Sequence, residues 1–134
     1  WLIENPETDK RRYVDELVQY MSDRRVTIEV CLTSNLQTMP ELPAIKDHAF
    51  RRMVEERLSV TLCTDNRLIS NTSMSKEIQL AVENFPVSAE RLKHLIIYGF
   101  KRSFYPGTYI DKRKYVRRII DFYEAKEREF DLSY

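Results

Sequence analysis

The sequence lacks an excess of charge of either sign and lacks long apolar runs. Its 22 basic and 21 acidic residues leave a net charge of +1, so no long-range field favours a polyanion or an acidic substrate. The longest apolar runs, such as Leu95-Ile96-Ile97, are far too short to cross a bilayer. The N-terminus also lacks the basic-then-apolar pattern of a signal peptide. These absences predict a soluble, cytoplasmic protein without a membrane partner.

Cysteine is scarce, and its two copies, Cys31 and Cys63, lie far apart with no CxxC pair. This spacing argues against a disulfide framework and against a cysteine zinc knuckle. We therefore expect two buried free thiols.

The 134 residues are enough for one domain, and 43% hydrophobic residues are enough for a core. No internal repeat or low-complexity segment is present. The chain opens on Trp1, within what reads as the middle of an element, so we expect it to be part of a longer protein.

Apolar periodicity predicts the element order α, β, α, β, α, α, α. The predicted elements are a helix from Asn5-Pro6 to about Asp23, a strand over 27–32, a helix over 45–57, a strand over 59–63, a helix ending before Pro86, a helix from Ser88 to about Phe104, and a last helix beyond Pro106-Gly107. Residues 33–43 and 64–73 are predicted to be loops. The long crossover between the two strands favours a parallel pair, and the fold class is therefore α/β.

Both strands place polar side chains on one face, because side chains alternate along a strand. The polar sets are Thr27, Glu29 and Cys31 in the first strand, and Thr61, Cys63 and Asp65 in the second. A shared polar face indicates either a lumen or cleft, or a sheet surface open to solvent, and the pattern alone does not choose. Asp65 ends its strand at the side where barrels and open α/β sheets carry their sites.

Four stretches resemble the adenosine deaminase family of zinc amidohydrolases, in the order in which the family has them. They are Leu2-Ile3-Glu4-Asn5-Pro6, Glu29-Val30-Cys31-Leu32-Thr33-Ser34-Asn35, His48-Ala49-Phe50-Arg51-Arg52 and Val60-Thr61-Leu62-Cys63-Thr64-Asp65-Asn66. The likeness covers most of the chain and weakens over the last helix.

The resemblance implies a (β/α)₈ TIM barrel, which needs about 250 residues. Residues 1–134 would be its C-terminal portion, holding the last two strands with their helices and the closing C-terminal helices. The N-terminal strands would be absent from this chain and would form its partner segment. In this family, zinc is held by histidines on the first, fifth and sixth strands and by an Asp ending the eighth. Only that Asp, Asp65, is present here.

The implied reaction is hydrolytic deamination of adenosine, and of 2′-deoxyadenosine, to inosine and ammonia. Zinc lowers the pKa of a bound water, and the resulting hydroxide attacks C6 of the purine. The resemblance gives Asp65 two roles, as metal ligand and as the catalytic carboxylate that orients the water and accepts its proton. Without the resemblance, Asp65 would be read as a loop cap.

Asn66 follows Asp65 where the commoner family pattern has a second Asp that binds N7 of the base. N7 is an acceptor, and an Asn amide can donate to it directly. Thr64-Asp65-Asn66 resembles a variant seen in bacterial-type members, and this resemblance implies Asn66 as a substrate-binding residue. Ser34 and Asn35 could line the pocket or cap loop backbone, and the sequence leaves both readings open.

Several alternatives compete with this interpretation. His48 and His94 lie in predicted helices and are interpreted as structural rather than as zinc ligands. Among enzymes, a relative acting on adenine, AMP or another 6-aminopurine is the alternative. A helical nucleic-acid-binding module is a different class of function. Its basic residues would be Lys101, Arg102, Lys112, Arg113, Lys114, Arg117 and Arg118, but acidic residues balance them, and we expect a solvated helix face and no nucleic-acid partner.

Overall fold

The computed structural model describes residues 6–131. Its elements are α1 (Pro6–Asp23), β1 (Ile28–Val30), α2 (Leu32–Thr38), a 3₁₀ turn (Ile45–Asp47), α3 (Phe50–Glu55), β2 (Val60–Leu62), α4 (Arg67–Ser70), α5 (Met74–Asn84), α6 (Ala89–Arg102) and α7 (Tyr109–Glu129). All the predicted helices and strands occur in the predicted order, with α2 and α4 as additions. The predicted cap Asn5 and the stretch from Leu2 to Asn5 lie outside the described residues.

The two strands are parallel, as their spacing predicts. Ile28 pairs with Val60 and Val30 pairs with Leu62, so the carboxyl ends of both strands lie at the same edge. A backbone bond of 2.8 Å from Cys63 N to Val30 O extends the pairing beyond this register. The structure therefore shows a helix-rich α/β arrangement with two parallel strands, each shorter than predicted.

Three segments differ from the sequence prediction. The expected loop over 33–43 begins with helix α2, the expected helix over 45–57 is interrupted at His48 (ψ 139°), and the expected loop over 64–73 contains α4. His48 accordingly lies in a turn rather than in a helix. Ser, Thr and Asn favour turns by local hydrogen bonding, and tertiary contacts of α2 outweigh that preference here.

The core lies on the apolar face of the sheet. Val30, Val60 and Leu62 pack with side chains of the crossover helices and of α5 and α6, and Phe50 meets Phe85 edge to face at 4.9 Å between ring centroids. Ser88 caps α6 as predicted, accepting a hydrogen bond from Arg91 N at 3.1 Å. Within residues 6–131, no helix combines the length and apolarity needed to cross a membrane.

Helix α6 also covers the polar face of β2. Thr61 is only 7% exposed, and a Cβ placed on Gly99 would come within 2.7 Å of Thr61 Oγ1. A cavity of about 530 Å³ opens beside this contact, lined by Thr27, Glu29, Thr61, Gly99, Arg102, Ser103 and Phe104. The polar face is therefore covered at Thr61 and open at Glu29, which is exposed, so the choice between the two readings stays a prediction.

Candidate functional site

Ser34 and Asp65 meet at the carboxyl edge of the two strands. Ser34 Oγ donates to Asp65 Oδ2 at 2.9 Å, although the residues are 31 positions apart in sequence. Parallel pairing explains the contact, because both residues follow shortly after strand ends that lie side by side. Ser34 is 7% exposed, whereas Asp65 is exposed.

The backbone at Asp65 has φ of 52°, in the left-handed region. Asp and Asn tolerate this region better than most residues do. The turn ends the extended backbone of β2 and starts the chain toward α4. Asp65 Oδ1 has no protein hydrogen bond to any residue between 6 and 131, so one carboxylate oxygen is held by Ser34 and the other is available to a ligand.

Asn66 is the N-cap of α4. Its Oδ1 accepts a hydrogen bond from Ile69 N at 3.2 Å, which satisfies a backbone donor of the short helix. The amide nitrogen Nδ2 has no protein acceptor within the described part of the chain. The side chain is thereby oriented by its oxygen and keeps its donor free.

Asn35 is fixed by His48. The His48 Nδ1 accepts from Phe50 N at 2.9 Å, which leaves Nε2 to carry the proton and donate to Asn35 Oδ1 at 3.1 Å. Burial lowers the pKa of His48 below its usual value, so the neutral ring is favoured. Asn35 is half-buried, and its side-chain oxygen is engaged by His48. Whether it also lines the pocket stays a prediction. The structural reading of His48 agrees with these contacts.

Cys31 and Cys63 are free and half-buried, rather than fully buried. Burial raises the pKa of the Cys31 thiol, and the charge of nearby Asp65 raises it further. Burial raises the pKa of the Cys63 thiol to about 11, with a further contribution from Glu29. Both side chains are therefore neutral thiols at pH 7.

Asp65 does not form a metal centre with the other described residues. Among residues 6–131, no group of three or more His, Cys, Asp or Glu side chains converges. His94, the second histidine, lies on α6 and stacks on Tyr98 with 6.0 Å between ring centroids. A complete zinc site typically has at least three protein ligands.

Several basic side chains of α6 and α7 have partners on their own surface. Lys112 Nζ donates to Ser103 O at 2.7 Å, and Arg117 forms an ion pair with Asp121 at 2.9 Å. The Arg113 guanidinium lies 5.9 Å from the centre of a tyrosine ring. These contacts are those of a solvated helix face, and the expected absence of a nucleic-acid partner stays a prediction.

Glu77 was not singled out in the sequence, yet it belongs to this region. It is 0% exposed and accepts hydrogen bonds from Thr33 N at 3.2 Å, from Thr33 Oγ1, and from Thr72 Oγ1 at 2.6 Å. The available signal was its helical spacing: Glu77 shares a helix face with buried Ala81 and Phe85. A charged residue at a core position of a helix indicates a specific partner.

Parallel strands joined by helices define an α/β protein, and here a carboxylate follows the end of a strand, the place where α/β folds carry their sites. The sequence profile of the family described as adenosine deaminase matches residues 8–122. The chain belongs to the adenosine deaminase family.

Named relatives agree with this assignment. The chain is 36% identical to the adenosine deaminase of Mycobacteroides abscessus over 98 residues, which cover 73% of this chain and 27% of that protein. It is 35% identical to the adenosine deaminase of Mycobacterium avium over 105 residues, or 78% and 28% of the two chains. A probable adenosine deaminase of Dictyostelium discoideum is 34% identical over 90 residues, 67% of this chain and 12% of that protein. The match thus spans about a quarter of the length of the bacterial relatives.

Proposed function

We propose that this chain is the C-terminal portion of a zinc-dependent deaminase that converts adenosine, and 2′-deoxyadenosine, to inosine and ammonia. The observation that carries the proposal is the placement of Asp65. The chain belongs to the adenosine deaminase family. Its Asp65 follows the end of a parallel strand, and the buried hydroxyl of Ser34 binds the carboxylate.

The proposal includes a (β/α)₈ barrel of which β1 and β2 are the last two strands. Two strands alone make a poor sheet, because each has a second edge without a strand partner among residues 6–131. Helix α1 supports the same reading: Tyr13, Leu17 and Tyr20 lie on one helix face and are each at least 42% exposed. Strands and helices from the preceding part of the barrel would cover both features.

Asp65 fits the role of a zinc ligand. Its Oδ1 has no protein hydrogen bond in the described chain, while Oδ2 is oriented by Ser34, as ligating carboxylates commonly are. When bound, zinc supplies Lewis-acid chemistry that makes water nucleophilic near neutral pH. The residues of this chain then have defined tasks: Ser34 holds the carboxylate, and Asp65 orients the water and accepts its proton.

Asn66 is proposed to bind the base. Because its Oδ1 is engaged by Ile69 N, the group left for the substrate is the Nδ2 donor, and N7 of a purine is an acceptor. An Asn can donate this hydrogen bond directly, whereas an Asp at the same position could donate it only as a protonated carboxyl group.

The test uses the full-length enzyme with adenosine, adenine and AMP, and follows ammonia release. We expect adenosine to be preferred, and Asp65→Asn to lower kcat/KM by about 10²- to 10⁴-fold, the usual contribution of a general base. Asp121→Asn, which removes an exposed carboxylate of α7, is the matched control and should retain activity. A preference for adenine or AMP would overturn the substrate, and an undiminished Asp65→Asn enzyme would overturn the site.

The 134-residue polypeptide by itself is proposed to be inactive, since one carboxylate cannot replace a complete ligand set. Metal analysis of the purified polypeptide after dialysis should find no tightly held zinc, and incubation with adenosine should release no ammonia. One zinc retained per chain would overturn this part of the proposal.

A further inference from the structure

Glu77 is a fully buried carboxylate that the proposed chemistry does not use. All its partners are neutral: the backbone and hydroxyl of Thr33 and the hydroxyl of Thr72. No Lys or Arg in residues 9–131 forms an ion pair with it. Burying a carboxylate without a cation is unfavourable, so its presence at 0% exposure calls for a specific role.

The contacts of Glu77 hold the first turn of α2. Thr33 is the second residue of α2, and the N-cap residue Cys31 makes no side-chain cap bond. Glu77 Oε2 accepts from Thr33 N and thereby satisfies a donor that the helix leaves unpaired. Glu77 thus replaces the missing cap from another helix, α5.

The next residue along α2 is Ser34, whose hydroxyl binds Asp65 at 2.9 Å. A short, regular helix turn fixes Ser34 relative to Thr33, so anchoring Thr33 also places the Ser34 hydroxyl. Two contacts therefore connect α5 to the site: Glu77 with Thr33, and Ser34 with Asp65. Without the first, the Thr33 amide loses its acceptor, and the remaining contacts of α2, such as buried Leu32 and the bond of Asn35 with His48, do not replace it.

We infer that Glu77 is a positioning residue for Asp65, acting through Thr33 and Ser34 on the proposed zinc ligand. The inference rests on the proposed function and extends it to a residue that touches neither metal nor substrate. Glu77 keeps Asp65 Oδ2 bound to Ser34, so that Oδ1 is presented to the metal in a single orientation.

The experiment measures the zinc affinity of the full-length enzyme by competition with a chelating dye. Ser34→Ala should weaken zinc binding about 10- to 100-fold, the usual effect of removing the partner of a ligand. Glu77→Gln should weaken it about 3- to 10-fold, because it acts one step further away. A glutamine has one acceptor oxygen and no charge, so it cannot reproduce all three contacts. If Glu77→Gln does not fold, Thr33→Val removes the hydroxyl part of the contact while keeping the bond from Thr33 N, and it should weaken zinc binding in the same direction.

The decisive result is the double variant. If Glu77 acts through Ser34, Glu77→Gln should change zinc affinity by less than about twofold in the Ser34→Ala background. With saturating zinc, Glu77→Gln should lower kcat and leave KM unchanged, because Asp65 acts on water rather than on the base. Glu83→Gln, on the exposed side of the same helix, is the matched control and should change neither quantity.

The outcomes separate this inference from the proposed function. If Asp65→Asn leaves zinc affinity unchanged, the proposed function and the inference both fail. If Asp65→Asn weakens zinc binding but the losses from Glu77→Gln and Ser34→Ala multiply independently, only the inference fails. A Glu77→Gln enzyme that is less stable yet has unchanged zinc affinity also overturns it, since that result describes a purely structural residue.

Discussion

The contact between Gly99 and Thr61 gives a sharp prediction for the substitution Gly99→Ala. The added Cβ would lie 2.7 Å from Thr61 Oγ1, closer than such atoms approach in proteins. Thr61 cannot easily yield, because it is β-branched, lies in β2 and is only 7% exposed. Helix α6 must therefore move away from the strand.

Two effects of opposite sign determine the size of the change. Overpacking of this kind costs about 1–3 kcal/mol, whereas alanine in a helix interior is favoured over glycine by about 1 kcal/mol. We expect Gly99→Ala to lower the free energy of unfolding by about 0–2 kcal/mol. In a Thr61→Ala background the clash is gone, and the same substitution should raise the free energy by up to about 1 kcal/mol.

Urea unfolding of the full-length protein, followed by circular dichroism, measures these changes through the transition midpoint. The double-mutant cycle should give a coupling of about 1–3 kcal/mol between the two positions. Thr61→Val is the control, because it keeps a heavy atom in place of Oγ1 and should preserve the clash. A coupling below about 0.5 kcal/mol would show that α6 does not pack on β2 as described.

Three further predictions concern other contacts. Burial lowers the pKa of His48 below its unfolded value of about 6.5, so the folded protein should keep its full stability above that pH and lose part of it as the pH falls below it. The urea midpoint should therefore depend less on pH in His48→Gln than in the unmodified protein. Thr108→Ala should lower the free energy of unfolding by about 0.5–2 kcal/mol, because it removes the N-cap of α7. Thr108→Ser keeps a capping hydroxyl and should retain most of that stability in the same assay. Lys93→Met should cost about 1–3 kcal/mol, because it leaves the largely buried Glu127 unpaired, whereas Arg117→Gln breaks an exposed pair and should cost less than about 1 kcal/mol.

The sequence was sufficient to predict the order of the main helices and strands and the parallel pairing. These features depend on local periodicity and on the length of the crossover, both of which can be read along the chain. A helix cap was predictable for the same reason, since it depends on local sequence: Ser88 was predicted to cap α6, and it does so. The family was also recognisable from four short stretches, and the family profile over residues 8–122 confirms it.

The prediction was wrong where distant residues decide local structure. Residues 33–35 have turn-forming side chains, yet they lie in α2, whose first turn is bound by Glu77 from 44 positions away. Asn35 similarly accepts its hydrogen bond from His48, on the other side of a loop. Neither partner can be read from the local sequence, since each contact depends on how the helices pack.

The sequence by itself determined that this chain has helices and two parallel strands, and that Asp65 lies at the carboxyl-end side of the second strand, just beyond Leu62 in the structure. Only the tertiary structure decided which residues surround that carboxylate. Ser34 reaches Asp65 because the strands are in register, and Glu77 reaches α2 because α5 packs against it. Periodicity is a property of neighbouring residues, whereas a site is assembled from residues that become neighbours only when the hydrophobic core brings their elements together.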